Sequence, residues 1–373
     1  MVEDEDYRHH PLAAGALRQL ADNYAKQKDD DQALRYWKQT VADFSATNRN
    51  EANRARSNLI SHYIRSRDYA SYEAWRVDPE RRDDAEHRVD VVDDLMGTGI
   101  HRFRYDWRYS QFQQDQKKKD LAAFYEYLTG RKDWYAKAER LWEYYTRALW
   151  IASELMRDRA ATQEVVSEAL AFVEKTEDDG KRNERVAWMI DRLRSAGDYV
   201  RARHCLGKLT DAHLAAYKDY EISGHGENDW KQAAARLLDL EKMGDAEWTA
   251  RARRARAWVY KDRLRRYEDA VALYRQINEP PNTLWSIQDA YVRWGKLEEA
   301  LTTLSEIENF FPDEAPNAAW HKAHYLHEAG DRKRTIAAAR RVLAVYPKSQ
   351  ASSKAHQLLE EYGIRTGGGV LEE

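Results

Sequence analysis

A recurrence of 35 residues near the end of the chain constrains its fold more than any other feature. Gly295 and Gly330 lie 35 positions apart, and so do Pro312 and Pro347. Around each glycine the same order appears, in "LWSIQDAYVRWGKLEEALTTLSEIENFFP" and in "AAWHKAHYLHEAGDRKRTIAAARRVLAVYP". An apolar helical pattern meets a turn at Gly, a second helical pattern follows, and Pro closes it. Gly supplies a left-handed exit from the first helix, and Pro stops the second. A helix pair this short cannot bury its own apolar side, so copies must stack on one another.

The pattern resembles the tetratricopeptide repeat. Large apolar residues of the repeat fall on Leu284, Ile287, Tyr291 and Leu304 of one copy, with Ala300 and Ile307 in the packing positions of the second helix and Pro312 at the end. The next copy supplies Ala319, Ala323, Leu326, Ala339 and Pro347, while Lys322 and Thr335 depart from the pattern. Small residues let two helices approach and large ones fill the space between them. The resemblance implies an all-α fold, a right-handed superhelical solenoid of antiparallel helix pairs.

Read along the chain, residues 1–10 form a disordered N-terminal segment and 11–78 hold repeats of the same kind. In the first of these, Leu17, Leu20, Ala21 and Tyr24 face Ala33, Trp37 and Thr40, with Lys28 where Gly would stand. Residues 79–119 read as an irregular or loosely helical insertion. There "GTG" at Gly97–Gly99 breaks a helical period, and "HRFRYDWRYSQFQQ" alternates aromatic and polar residues as a strand would. Divergent helical repeats occupy 120–245, and "DWYAKAERLWEYYTRALWIASEL" within them reads as one long aromatic helix. The C-terminal repeats cover 246–349, an amphipathic capping helix 350–363, and a tail 364–373.

Composition removes several function classes. A formal charge of −3 gives no global pull toward nucleic acid. The local run "RARRARAWVYKDRLRR" reads as a solvated helix face, because apolar residues recur through it and acids follow it. One cysteine, Cys205, excludes an intrachain disulfide and any two-cysteine metal motif, and it reads as a small buried hydrophobe. His321, His324, His327 and Glu328 share a helix at metal-compatible spacings, but no remote ligand accompanies them. "GTGIHRFR" lacks the lysine and glycine spacing of a phosphate loop. No cofactor, metal or catalytic residue is assigned, and the chain is read as non-enzymatic.

The resemblance also names the residues of a concave inner face. Transferred onto this chain they are Asn282, Trp285, Asp289, Val292 and Arg293, then Asn317, Trp320, His324, His327 and Glu328. In the preceding pair they are Arg251, Arg254, Trp258 and Lys261, with the register uncertain by one residue. Tryptophans thus recur beside Arg, Asp, His and Glu, a combination suited to an extended peptide or protein partner. A glycan-binding module, or a specificity subunit with a pocket near residues 81–119, stands as the alternative.

No apolar run approaches the ~20 residues that cross a bilayer, so no transmembrane segment is expected. The start "VEDEDYRHHP" reads either as a cytoplasmic beginning or as the edge of a trimmed fragment. The phrases "ENFFPDEAPNAAW" and "LAVYPKSQASSKAHQLL" resemble repeats of bacterial cell-envelope proteins, which favours a periplasmic or envelope-associated location. Nothing in the sequence fixes the oligomeric state.

Overall fold

The computed structural model describes residues 10–105 and 114–365, and every regular element among them is helical. They fall into two units, Met1–Lys208 and Leu209–Glu373. The expected N-terminal segment up to residue 9, the tail from 366 and most of the aromatic alternation at 106–113 lie outside the described residues.

In the first unit, α1 (Pro11–Lys26) pairs with α2 (Asp30–Phe44), and α3 (Arg49–Ser66) with α4 (Tyr69–Arg76). Next come α5 (Ala85–Tyr105) and α6 (Gln114–Thr129), then the short α7 (Lys132–Lys137). The unit closes with α8 (Leu141–Trp150) and α9 (Arg159–Glu174), then α10 (Asp179–Ser195) and α11 (Tyr199–Leu206). The second unit repeats the scheme more regularly. Its pairs are α12 (Ala212–Glu221) with α13 (Trp230–Lys242), and α14 (Ala246–Trp258) with α15 (Tyr267–Ile277). They continue with α16 (Asn282–Trp294) and α17 (Leu297–Phe310), then α18 (Ala315–Glu328) and α19 (Arg332–Val345). Helix α20 (Gln350–Glu361) is the last among the described residues and packs on both α18 and α19.

Each turn inside a pair is built the same way. A residue in the left-handed conformation is followed by the residue that caps the next helix. Gly295 and Gly330 take φ of 78° and 75°, and elsewhere Lys28, Arg67, Arg157, Asn228 and Arg265 occupy the same conformation without being glycine. The capping residue is Asp in most pairs: Asp29, Asp68, Asp158, Asp198, Asp229 and Asp331 each accept a backbone N–H of the following first turn. A cap of this kind contributes about 1 kcal/mol, comparable to the cost of about 1–2 kcal/mol for holding a non-glycine residue left-handed. Three of the turns are preceded by a wide, π-helical turn: Ile151–Met156, Ile222–Gly226 and Val259–Arg263. Ile151, Ile222 and Val259, which open them, are all fully buried.

Packing in the second unit is a relay. Tyr220, Leu237 and Val259 share one apolar cluster, Ala257, Ala270, Tyr274 and Ile287 the next. Leu304, Ile307 and Leu326 form a third, and Ala323, Ala339, Val342, Leu358 and Leu359 the last. The two departures from the repeat pattern have local explanations. Lys322 reaches Glu308 of the preceding pair, Nζ to Oε2 2.7 Å. Thr335 is fully buried and donates its hydroxyl to the Asp331 carbonyl at 2.7 Å.

Two expectations for the first unit are corrected. The helix of residues 85–105 runs straight through "GTG". Gly97 is exposed, and at Gly99 a Cβ would stand 2.3 Å from the ring of Phe124, so this glycine serves close approach of α6 and does not break the helix. The long aromatic helix is interrupted instead, because Glu139 turns left-handed (φ 57°) between α7 and α8.

Two outcomes follow. Truncation after Pro347 removes Leu358 and Leu359, whose burial is worth about 2 kcal/mol each, and uncovers Ala339 and Val342. The truncated chain should melt several degrees lower in a thermal scan or self-associate; an unchanged curve with a monodisperse species would show that α20 is no cap. The second concerns Glu308, almost fully buried and held by Lys322, by Arg341 at 2.6 Å and by Tyr346 at 3.0 Å. Burial alone would raise its carboxyl, but these donors outweigh burial and hold it below the ordinary value. Glu308→Ala should destabilise by about 3 kcal/mol in denaturant unfolding at pH 7. Because the folded group is the stronger acid, its contribution should fade as pH drops below about 4.3.

Candidate functional site

Helices α16 and α18 place the side chains that matter most. On α16, Ile287, Gln288, Ala290 and Tyr291 turn inward, which leaves Trp285, Asp289, Val292 and Arg293 partly or fully exposed. On α18 the inward row is Ala315, Ala318, Ala319, Ala323 and Leu326. Alanines bring its neighbours close, and the large residues Trp320, His321, His324 and Tyr325 line the open side.

These rings form a continuous belt. Trp285 meets His321 edge to face at 5.4 Å between centroids, and His321 stacks on Tyr325 at 5.5 Å. Tyr325 lies 5.7 Å from His324, which stacks on Trp320 at the same 5.7 Å. Buried Gln288 fixes the middle of the belt by donating Nε2 to the Tyr325 hydroxyl at 3.1 Å. Each tryptophan keeps one side in the apolar relay, Trp285 against the Leu304 cluster and Trp320 against the Ala339 cluster. His321 and Tyr325 were absent from the inner-face residues drawn from the sequence. Their signal was the pair of aromatic stripes at spacing four, 320 with 324 and 321 with 325.

The charged residues of the expected face are used internally. Asp289 accepts from Lys261 Nζ at 2.5 Å and from Arg293 Nε at 3.1 Å, and Arg293 also reaches Asp262 at 3.0 Å. Burial would raise the Asp289 carboxyl, but the two cations outweigh it and hold it low. Arg254 pairs with Glu279 at 2.6 Å. His324 Nε2 lies 3.4 Å from Glu328, and His327 Nδ1 lies 2.7 Å from the hydroxyl of Tyr362, just after α20. Of the expected inner-face residues, Trp285, Trp320 and His324 therefore come together in the belt. His327 instead clasps the end of α20. Trp258 does not join them: it packs against Trp230 at 5.5 Å, stacks on His225 at 5.8 Å and sits under Arg263 at 5.0 Å. The π turn after Trp258 places one more residue before left-handed Arg265 than separates Asp289 from Gly295, which accounts for the one-residue uncertainty in register.

The fold is a tetratricopeptide-like helical repeat. What makes it so is the chain's own geometry, helix pairs whose left-handed turns recur with Gly295 and Gly330 at the 35-residue interval. No family model matches the sequence, and no curated protein matches it. Among solved structures the chain is similar to a circular tandem repeat protein with novel repeat topology and enhanced subunit contact surfaces, at 12% identity and a TM-score of 0.31, covering 94% of this chain and 81% of that one. It is also similar to the P58(IPK) TPR domain, at 13% identity and a TM-score of 0.22, covering 94% and 99% respectively.

Other constellations resolve into structure. In the arginine run, Arg256 pairs with Glu241 at 2.8 Å and Arg266 with Asp269 at 2.8 Å, while Arg251 lies over Tyr217 at 4.1 Å. Cys205 is fully buried, and burial pushes its thiol up to about 12, so it is an inert packing residue. Among the described residues no group of three or more His, Cys, Asp or Glu is placed to hold a metal, and no helix is long and apolar enough to cross a membrane. Within the first unit a cleft of about 620 Å³ opens beside α5, lined by Ile100, His101, Trp150, Trp188 and two arginines. Arg192 there is held by Glu154 at 2.5 Å and Arg147 by Asp93 at 3.0 Å.

The belt carries a titration of its own. His321 is half-buried, and burial first, then the neighbouring His324 and Lys354, pushes its pKa below the ordinary value. A histidine that resists protonation when folded stabilises fully above about pH 6.5 and loses that contribution as pH falls through its lowered pKa. Between about pH 7 and 5.5, wild type should therefore lose more unfolding free energy than His321→Phe. Equal losses in the two proteins would show that His321 titrates as if exposed.

Proposed function

We propose that the chain is a non-enzymatic scaffold that binds a partner protein or peptide along the Trp285–Trp320 face of its second unit. The observation that carries this reading is the aromatic belt itself. Its five rings touch in sequence and stay partly open, above a buried cluster of Leu301, Leu304, Ile307, Ala318 and Leu326. Rigid, partly desolvated aromatic anchors are the side chains that contribute most to protein–protein binding. Tetratricopeptide-like folds commonly serve as interaction scaffolds, which supports the same reading. The ion pairs on the α14–α16 side would orient a partner more than hold it.

The closing phrases that resemble envelope repeats support placing this scaffold in a cell-envelope assembly. One of them also has a plain structural task, since Ser349 of "YPKS" caps α20 by accepting from Ser352 N–H.

The test is titration of a partner, identified by capture from the source organism, into folded Trp285→Ala and Trp320→Ala proteins. Each should bind at least about tenfold more weakly than wild type, with the helical circular dichroism signal retained. Because one side of each ring is in the apolar relay, a modest fall in melting temperature should accompany the loss. Wild-type affinity in both variants would move the binding surface elsewhere.

A further inference from the structure

The cations near the belt are not equally satisfied, and the imbalance names a partner chemistry. On the α14–α16 side, Arg254, Lys261 and Arg293 each rest on a carboxylate within 3.1 Å. A partner's acid arriving there would have to displace an existing pair. The α18–α20 end differs. Lys354 of α20 is exposed, its Nζ lies 5.9 Å from the Trp320 ring, and among the described residues no carboxylate lies within 4 Å of it. His321 is half-buried between Trp285 and Tyr325, and its Nδ1 has no hydrogen-bond partner. The charged groups felt by His321 are His324 and Lys354, both repelling a proton, with no acid among them. The nearest acids are engaged: Glu328 sits on His324 at 3.4 Å and Glu361 faces His327 at 3.9 Å.

We infer that this end of the belt is a subsite for an acidic side chain, whose carboxylate is taken by Lys354 while an adjoining apolar residue lies on Trp320 and Trp285. The inference rests on the proposed partner-binding face and adds the partner's chemistry to it. A carboxylate here gains the Lys354 ammonium, which rests on no carboxylate among the described residues, without displacing an existing pair. The aromatic rings alongside lower the local dielectric, which strengthens that attraction relative to open solvent. A cationic segment meets the opposite: Lys354 repels it, and both neighbouring acids are occupied.

The experiment uses the full chain and a fluorescein-labelled, C-terminally amidated heptapeptide that alternates glutamate with leucine, beside its serine and lysine counterparts. Amidation removes the terminal carboxylate, and a free-acid version of the serine peptide reports separately on a chain end as the source of the anion. Fluorescence anisotropy at low salt should show the glutamate peptide binding at least about tenfold tighter than the serine peptide, with the lysine peptide weakest. The advantage should shrink as salt rises from about 0.05 to 0.5 M and disappear in Lys354→Glu. That substitution is on an exposed position and should leave the melting curve in place. Equal binding of the glutamate and serine peptides, both lost in Trp320→Ala, would overturn the acidic subsite and leave the belt standing as a binding face. Glutamate-peptide binding unchanged by both Lys354→Glu and Trp320→Ala would overturn the two together. A preference confined to the free-acid serine peptide would replace the side chain with a chain terminus, and failure of the glutamate peptide to bind wild type would also overturn the inference.

Discussion

A pair of helices of about 35 residues exposes an apolar stripe that it cannot cover, and the rest of the structure follows from that shortage. Within the second unit, buried residues of neighbouring pairs pool into common clusters. The clusters around Leu237, Tyr274, Leu304 and Val342 are accordingly shared between neighbours. A relay has no single centre, so it must be closed at its end, and α20 closes it by spending Leu358 and Leu359 on the last pair. Among the described residues no helix packs beyond α20, and its exposed Lys354 lies beside the Trp320 ring of α18. The cap and the candidate subsite are consequences of the same geometry.

How much of this the sequence reveals depends on which residue makes each turn. Where glycine makes it, at Gly295 and Gly330, the period is visible at once. Where Lys28, Arg67, Arg157, Asn228 or Arg265 makes it, the glycine signal is gone although the backbone is the same. The more constant mark is the residue that follows. Asp29, Asp68, Asp158, Asp198, Asp229 and Asp331 each cap a helix directly after a left-handed residue. Aspartate is common in surface loops of every kind, so its register is hidden until the helices around it are known. The three π turns blur the period further, because each adds a residue between the helix and its turn. Gly99 misleads in the other direction: it looks like a break and is instead a contact, emptied of side chain so that Phe124 can approach.

The candidate site was legible to the same degree and for the same reason. Trp285, Trp320 and His324 lie in the pairs whose glycines set the register, and the structure brings them into one belt. Trp258 lies in a pair with a π turn, and it packs with Trp230, His225 and Arg263. His321 and Tyr325, which the inner-face positions drawn from the sequence did not include, complete the belt. They can do so because alanines at Ala318, Ala319 and Ala323 take over the packing of α18. His327 could not be assigned from its own helix, since its partner Tyr362 is 35 residues away.

Charge shows most clearly how one set of chemistry serves structure in one place and remains available in another. Glu308 is almost fully buried and is surrounded by Lys322, Arg341 and Tyr346. A carboxylate removed from water survives only with such a set of donors, because the penalty for burying it alone exceeds what any one partner returns. The group of Lys261, Asp262, Asp289 and Arg293 obeys the same rule on a half-exposed surface, with two charges of each sign in mutual contact. At Lys354 the ammonium is present and, among the described residues, a carboxylate within 4 Å is not, while His321 beside it holds a buried polar atom, Nδ1, without a hydrogen-bond partner. An exposed lysine tolerates this in water, but an imidazole with its Nδ1 buried and unbonded does so only by staying neutral, which is how burial and its two neighbours hold it. The carboxylate that Glu308 supplies within the fold has no counterpart beside Lys354 among the described residues, and in the proposed subsite a partner's acidic side chain would supply it.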